Sequence, residues 1–221
     1  MSYRSDWEDV KKVKDGKTYV PVRFILRSNE FGWVDSGYVK SKDGCEPFVK
    51  AGRPEAGAVL TGSQRFPTLK RPSHSYLTHP RNFGATRSGR KHAACDLNRV
   101  KGEVVYATKP GVVIQGAYGF AKPTAAVEVK NDDGTVIRYG EIQFKEAIAA
   151  GKRVKVGDKI GIIGQVKTRS GWATPMLHFE LYSGARKGSL SGGGAFKRRA
   201  DLVNPTKILK SLEQKTFGAS Y

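Results

Sequence analysis

Two stretches decide the fold of this 221-residue chain: GRKHAACD at residues 89–96 and PMLHFE at residues 175–180. They contain His92, Asp96 and His178. Two imidazoles and one carboxylate are the ligands of a zinc site that keeps its fourth position open for water or substrate, and such open sites are catalytic rather than structural. The sequence therefore predicts one Zn²⁺ ion held by these three side chains.

The stretch around His178 alternates in the manner of a half-buried strand. Met176, His178 and Glu180 fall on one face, whereas positions 177, 179 and 181 are apolar. Because alternate residues of a strand point to opposite faces, the apolar face should pack on a core and His178 should point into a cleft. On that face Glu180 either orients a ligand imidazole by a hydrogen bond or is a solvated strand charge.

His92 and Asp96 are four residues apart, and the glycine and small residues around them favour a strand or loop. Both side chains then lie on the same side of the chain. Cys95 lies between them, and its side chain should point away from the metal. We interpret Cys95 as a small buried hydrophobic residue, with a fourth zinc ligand as the alternative.

The two stretches, in this order, resemble the signatures of the lysostaphin-type (LytM-like) zinc endopeptidases, which cut peptide cross-bridges in bacterial peptidoglycan. The family signatures are His-x-x-x-Asp and, further along the chain, His-x-His on a strand. The resemblance implies that His92, Asp96 and His178 are the metal ligands. It also implies a mainly β fold, an antiparallel β-sheet or sandwich with a groove, followed here by a C-terminal helix.

Shorter matches to the family extend the resemblance, in register, over about residues 80–210. They are FG at 83–84, Arg87, KPGVV at 109–113, DGT at 133–135, VKVGDKIG at 154–161 and NP at 204–205.

The chain departs from the family at two positions. The family's Tyr-x-His-Leu motif is represented by Tyr139 and Glu141, and the first His of His-x-His is Met176. In the family these two histidines handle the proton of the attacking water and steady the oxyanion. A thioether is at best a weak acceptor, so Met176 is a degenerate catalytic position. Glu141 is the candidate general base, the role that glutamates have in other zinc hydrolases.

The net charge of +19 predicts an anionic partner. Charge alone does not choose among nucleic acid, anionic lipid headgroups and the anionic polymers of a bacterial envelope. The chain has no helix-turn-helix and no aromatic RNA-binding pattern, so no specific nucleic acid is expected. The resemblance favours peptidoglycan or another envelope polymer.

The sequence predicts neither a membrane span nor a secretory signal peptide. No apolar run approaches the roughly 18 residues of a spanning helix. The first residues, MSYRSDWED, contain no apolar core of a signal peptide. We therefore expect synthesis in the cytoplasm and access to the cell wall by a non-Sec route or as part of a virion, with virion proteins as further partners.

The chain divides by composition into three parts. Residues 1–50 are predicted to form a small β-rich region, with strands near 17–27 and 31–39. Residues 51–80 are rich in Gly, Pro and Ser, which indicates a linker or a loop that covers a groove. Residues 81–221 form the peptidase-like domain.

Four local features of the domain are also predicted. Residues 132–134 read DDG, a type I′ hairpin signal. Residues 146–151 are expected to form one helical turn, and residues 201–214 to contain a helix that has Asn204 as its cap and Pro205 at its first position. Residues 183–199, the basic loop, either grip an anionic polymer or are solvated.

His74 and His79 lie in the 51–80 segment. Surface positions are the default for both. The alternative is an inhibitory contact with the metal from a loop that folds back.

The resemblance leads to two hypotheses of function. The first is a zinc-dependent peptidoglycan endopeptidase, a phage lysin or virion-associated wall-degrading protein, that works with Glu141. The second is a catalytically inactive, zinc-binding domain that serves as a wall-binding or structural protein of a phage tail or baseplate. Met176 and Glu141 keep both hypotheses open.

Overall fold

The computed structural model describes residues 64–218 together with the backbone of residues 12–14, 17–23 and 31–35. The chain divides into two compact units, Met1–Val59 and Leu60–Tyr221. In the first unit, three antiparallel strands lie in the order β1 (Lys12–Lys14), β2 (Lys17–Arg23), β3 (Phe31–Asp35). The two strands predicted for this region are β2 and β3, and the remaining predicted residues lie outside the described part.

The second unit is mainly β, with one C-terminal helix, as predicted. Its strands are β4 (Thr86–Arg87), β5 (Arg90–Lys91), β6 (Cys95–Asn98), β7 (Val104–Tyr106), β8 (Gly111–Gly119), β9 (Ala125–Asn131), β10 (Val136–Ile142), β11 (Arg153–Val154), β12 (Lys159–Ile162), β13 (Lys167–Thr168), β14 (Gly171–Trp172), β15 (Met176–Tyr182) and β16 (Leu202–Val203). A 3-10 turn spans Phe144–Glu146, and helix α1 spans Thr206–Phe217.

An antiparallel sheet organises this unit, in the strand order β11-β8-β9-β10-β15-β16, with β6 paired to β15 as well. Strand β15 therefore has three partners. Its apolar residues Leu177 and Phe179 are fully buried in the main hydrophobic core. The alternation predicted for this strand thus fixes which of its faces is packed against the core.

Helix α1 closes one side of the core. The side chain of Asn204 accepts a hydrogen bond from the backbone N–H of Thr206 (3.0 Å) at the start of the helix. Leu209 and Leu212 are fully buried, and Ile208 packs beside them. The helix begins at Thr206, one residue after the predicted first position Pro205. It extends three residues beyond the predicted end, to Phe217, which packs edge-on against the ring of Phe66 (5.6 Å between centroids). That last contact is long-range and invisible to local sequence patterns.

Two local predictions are wrong. In the hairpin at 132–134 the backbone φ is positive at Gly134 alone, and Asn131 N–H bonds to Thr135 O (2.8 Å). The loop is a three-residue turn with a left-handed glycine and not the two-residue type I′ turn. The helical turn expected at 146–151 is replaced by the 3-10 turn at Phe144–Glu146. Residues further on bond instead to neighbouring strands, as when Ile148 N–H donates to Ile160 O (2.8 Å).

Residues 64–80 have no helix or strand and pack irregularly on the domain. Phe66 is fully buried, and its N–H donates to Thr216 Oγ1 (2.8 Å). Tyr76 donates its hydroxyl to Glu213 (2.7 Å). Residues 51–63 lie outside the described part, so the role of 51–80 as linker or covering loop stays a prediction. Within the described part of the chain, no helix is both long and apolar enough to cross a membrane.

The two faces of β15 should respond differently to truncation. Leu177→Ala removes a fully buried side chain and should lower the free energy of unfolding by about 2–5 kcal/mol. Met176→Ala, at the half-buried neighbouring position, should cost about 1 kcal/mol or less. Urea unfolding measures both variants. Equal losses would contradict the assignment of the two faces.

Candidate metal centre

Strand pairing brings the three predicted ligands together. In the β6–β15 register, His178 lies directly opposite Asp96. His92 follows β5 and precedes β6 by two residues, in the irregular segment that the small residues predicted. All three side chains are buried. On its other edge, His178 lies opposite Gly140, where a Cβ atom would come within 3.2 Å of the His178 Cβ, so a side chain there would press on the imidazole.

The donor atoms converge on one point. His92 Nε2 lies 3.1 Å from Asp96 Oδ1, His178 Nδ1 lies 2.9 Å from the same oxygen, and the two nitrogens are 3.4 Å apart. Zinc bonds to nitrogen and oxygen are about 2.0–2.1 Å long, which places neighbouring ligands of a tetrahedron roughly 3.3–3.4 Å apart. Among the described residues this is the only group of three such side chains whose donor atoms lie within 4.8 Å of one another.

The far nitrogens of both rings are already used as donors. His92 Nδ1 donates to the backbone oxygen of Asn82 (2.9 Å), and His178 Nε2 donates to Glu180 Oε1 (3.0 Å). This leaves His92 Nε2 and His178 Nδ1 facing the Asp96 carboxylate. In the metal-free protein burial lowers the pKa of His178, but its hydrogen bonds to Asp96 and Glu180 outweigh burial and raise the pKa to about 9, so a proton on Nδ1 is shared with Asp96. A divalent cation would take the place of that proton among the three donor atoms. The donor set therefore fits a metal ion, with the far ring nitrogens anchored as metal-ligating histidines require.

Glu180 is fully buried behind His178, so it is not a solvated strand charge. Its carboxylate also accepts hydrogen bonds from Arg138 Nη1 (2.9 Å) and Arg198 Nε (2.8 Å). Burial raises the pKa of Glu180, but the hydrogen bond from His178 and the charges of His178, Arg138 and Arg198 outweigh it and hold the pKa well below its usual range. Glu180 is thus an anionic anchor for the ligand imidazole.

Glu141 lies in the same groove and is strained. Its φ angle is +64°, a left-handed conformation that non-glycine residues rarely adopt, at the bulge that ends β10. The side chain is buried, and its Oε2 atom has no hydrogen-bond partner in the described structure. Burial raises the pKa of Glu141 to about 7, with the charge of His178 lowering it and that of Asp96 raising it. Strain of this kind costs about 1–3 kcal/mol and concentrates at functional sites.

The other residues considered for the site lie as follows. Met176 is half-buried and lines the groove. Cys95 is fully buried in the core, with its Sγ atom 3.6 Å from Thr206 Oγ1, and is not in the ligand group. His74 and His79 are exposed and stay outside that group as well.

The groove around the ligands has a volume of about 900 Å³ and a basic lining that sequence reasoning did not resolve. Its cationic side chains are Arg81, Arg87, Arg90, Arg138, Lys197 and Arg198. The RK pair at 90–91 and the KRR run at 197–199 were visible signals, but neither showed that the two runs meet. The basic loop is not simply solvated, because Ser191 and Arg198 pair across it as an isolated antiparallel bridge.

Comparison with known proteins gives a family and a fold. Residues 90–189 match the sequence model of Peptidase family M23. The structure is similar to that of the antimicrobial peptidase lysostaphin from Staphylococcus simulans, with a TM-score of 0.53 and 17% identity over 72% of this chain and 58% of that chain. The chain thus spans less than two thirds of that protein. At this identity the similarity shows a shared fold.

Two further similar structures have lower TM-scores. The catalytic domain of the same lysostaphin has a TM-score of 0.46 and 19% identity, over 58% of this chain and 89% of that chain. LytU has a TM-score of 0.47 and 20% identity, over 65% of this chain and 95% of that chain. The comparison with curated proteins gives no match.

The raised pKa of Glu141 predicts a pH dependence of stability in metal-free protein. The folded state holds a proton on Glu141 up to about pH 7, whereas an ordinary Glu releases it near 4.5. This contribution is complete below pH 4.5 and disappears as the pH rises through 7. The stability of wild type relative to Glu141→Gln should therefore fall by up to about 3 kcal/mol over that interval.

Urea unfolding in the presence of a chelator measures this difference. Glu146→Gln, which removes an exposed carboxylate, is the matched control and should track wild type across the interval. If the free energies of unfolding of wild type and Glu141→Gln changed with pH in the same way, the raised pKa of Glu141 would be ruled out.

Proposed function

Residues 90–189 form a lysostaphin-type domain of Peptidase family M23, and from this premise we propose that the chain is a zinc-dependent endopeptidase that cleaves peptide bonds in bacterial peptidoglycan. One observation carries the proposal. His92 Nε2, Asp96 Oδ1 and His178 Nδ1 converge in an open groove that is also lined by Glu141, whose buried Oε2 atom has no hydrogen-bond partner.

The three ligands are suited to hold one Zn²⁺ ion. The anchors behind them, Asn82 and Glu180, fix the rotation of both imidazoles before any ion arrives. When bound, zinc would polarise the scissile carbonyl and make water easier to deprotonate. The groove leaves room for an extended peptide beside the ligands.

Glu141 would take the proton in this scheme. Its Oε2 atom is not engaged by any hydrogen bond, and the side chain lines the groove near His178 and Asp96. A carboxylate with a free oxygen beside the ligands would be able to accept a proton from water and return it to the leaving amine. The family's histidine is thus replaced by a group that is capable of the same transfer.

Met176 supports a second candidate function. A thioether offers no hydrogen-bond donor to a developing oxyanion, so one of the two family roles has no substitute at that position. The second candidate is a zinc-binding domain without activity that binds the cell wall or serves as a structural protein of a phage tail or baseplate. Both candidate functions include the same zinc site, but only the first candidate hydrolyses peptide bonds.

The setting in which the protein acts is also a proposal. The net charge of +19 is suited to anionic polymers of a bacterial envelope. We propose that it acts at the bacterial cell wall, as a lysin or as part of a virion, where virion proteins would be partners.

Zinc binding is tested directly by elemental analysis after dialysis against zinc. Wild type should retain one ion per chain. His178→Ala should retain almost none, because it removes one of the three ligands and leaves the buried Glu180 carboxylate without the imidazole that it anchors. His74→Ala, a substitution of an exposed histidine outside the cluster, is the matched control and should behave as wild type. Equal zinc content in His178→Ala and wild type would contradict the site.

Turnover is tested by clearing of purified peptidoglycan in a gel. Glu141→Gln should retain zinc and lose activity by on the order of 10²–10⁴-fold, the usual contribution of a positioned acid–base group. His178→Ala should lose both zinc and activity, and Glu146→Gln should clear as wild type does. If zinc-loaded wild type gave no clearing, the inactive, wall-binding alternative would be favoured.

A further inference from the structure

We propose that Arg87, Arg90 and Arg198, the arginine cluster, form a carboxylate-binding site beside the metal centre, which selects peptides with a free carboxylate near the bond to be cleaved. This inference rests on the proposed function, because it takes the groove to be the site where a peptide binds.

Two of the three arginines face each other across a hairpin. Strands β4 and β5 are two residues each, and Arg87 and Arg90 are directly opposite in their register. Like charges in this position repel and weaken a hairpin. The hairpin thus carries an electrostatic cost that an anion between the two guanidinium groups would remove.

The third arginine comes from the basic loop. The loop docks on the same hairpin through the hydrogen bond from Lys91 N–H to Ala195 O (2.7 Å). The rings of Phe83 and Phe196 stack beside it at 4.8 Å between centroids. The bridge between Ser191 and Arg198 fixes where Arg198 leaves the loop. Two segments distant in sequence, the hairpin and the basic loop, therefore bring positive charge to the groove.

The carboxylates of the site make no hydrogen bond with Arg90. Asp96 accepts a hydrogen bond from Arg87 (3.0 Å) through the oxygen that faces away from the imidazoles. Glu180 accepts bonds from Arg138 and Arg198 in addition to His178. Glu141 Oε2 is unengaged, but it is not bonded to Arg90 either. Among the described residues, the acidic side chains of the site thus leave Arg90 without a carboxylate partner.

Arg90 is the residue without a partner. Within the described part of the chain its guanidinium makes no hydrogen bond or ion pair, and its Nη1 atom is fully buried. Arg90 lines the groove together with Arg87 and Arg198, so its neighbours there include two further cations. Native proteins rarely leave a buried charged donor unsatisfied, since the desolvation is not recovered. A ligand that supplies an acceptor would satisfy this donor.

The planar geometry of the Arg90 guanidinium group favours a carboxylate as the ligand. A guanidinium presents parallel N–H donors that match the two oxygens of a carboxylate. Arg90 precedes the ligand His92 by two residues and lines the same groove. A peptide placed across the metal centre would bring its own carboxylates, at a side chain or at the C-terminus, to this position. A neutral peptide would leave Arg90 unsatisfied.

The test is calorimetric titration of the zinc-loaded full-length chain with a pair of probes. One probe is a peptidoglycan stem tetrapeptide with free carboxyl groups, and the other is the same tetrapeptide with those groups amidated. Wild type should bind the free acid at least about tenfold more tightly than the amide. Arg90→Gln should reduce this ratio to within about twofold, with zinc content unchanged.

Two variants control the experiment. Arg186→Gln removes an exposed arginine of the basic loop that does not line the groove, so it matches the change in net charge and should keep the ratio of wild type. Arg90→Lys keeps the charge without the planar fork, so it should give an intermediate ratio, and it replaces Arg90→Gln as the test if that variant does not fold.

Three outcomes would overturn the inference. They are equal affinity of wild type for the two peptides, an unchanged ratio in the Arg90 variants, and Arg90-dependent binding of glycerol phosphate that is tighter than that of the free acid. Tighter binding of glycerol phosphate would show that the arginine cluster is a phosphate site and not a carboxylate site.

The readout is binding without hydrolysis. Loss of peptidoglycan clearing with the affinity ratio intact would remove the proposed function and leave the carboxylate site. Clearing of peptidoglycan by a protein that binds the free acid and the amide equally would keep the proposed function and remove the carboxylate site.

Discussion

The structure depends above all on the register of strand β15, which holds His178 between Asp96 on β6 and Gly140 on β10. Because side chains alternate along a strand, a slip of one residue would turn His178 into the core and Leu177 into the groove. The burial of the apolar face prevents that slip. The same packing that stabilises the domain therefore places the ligands, and neither can change without the other.

Behind the ligands lies a second constraint, the buried carboxylate of Glu180. An isolated charge at zero exposure would be very unfavourable, and only the surrounding cations make it tolerable. Arg138 comes from the neighbouring strand β10 and Arg198 from the basic loop, so the anchor of His178 also ties the loop to the sheet. This network holds the His178 imidazole in one orientation, and the desolvation of its charged groups costs free energy.

The family, the mainly β fold and the C-terminal helix were predicted from the sequence and are confirmed. These predictions rest on local patterns. A motif such as His92 to Asp96, or the alternation of apolar residues along a strand, can be recognised in the sequence without knowledge of the fold. The basic lining of the groove was not predicted, because Arg90 and Arg198 meet through a loop that docks on a hairpin, and such contacts leave no periodic signal. The type I′ turn predicted at the DDG sequence was wrong because Asp at the first positions is compatible with several turn types. The register of the two flanking strands decides among these types.

The two departures from the family are not equivalent in physical terms. Met176 is a neutral side chain at a half-buried position and imposes little on the fold. Glu141 combines a left-handed backbone, a buried carboxylate and an oxygen without a partner, each of which lowers stability. Glycine or asparagine would satisfy the same φ angle at lower cost. The proposed proton transfer would require such a side chain, because that step needs a carboxylate in the groove with an oxygen that is not engaged by another group.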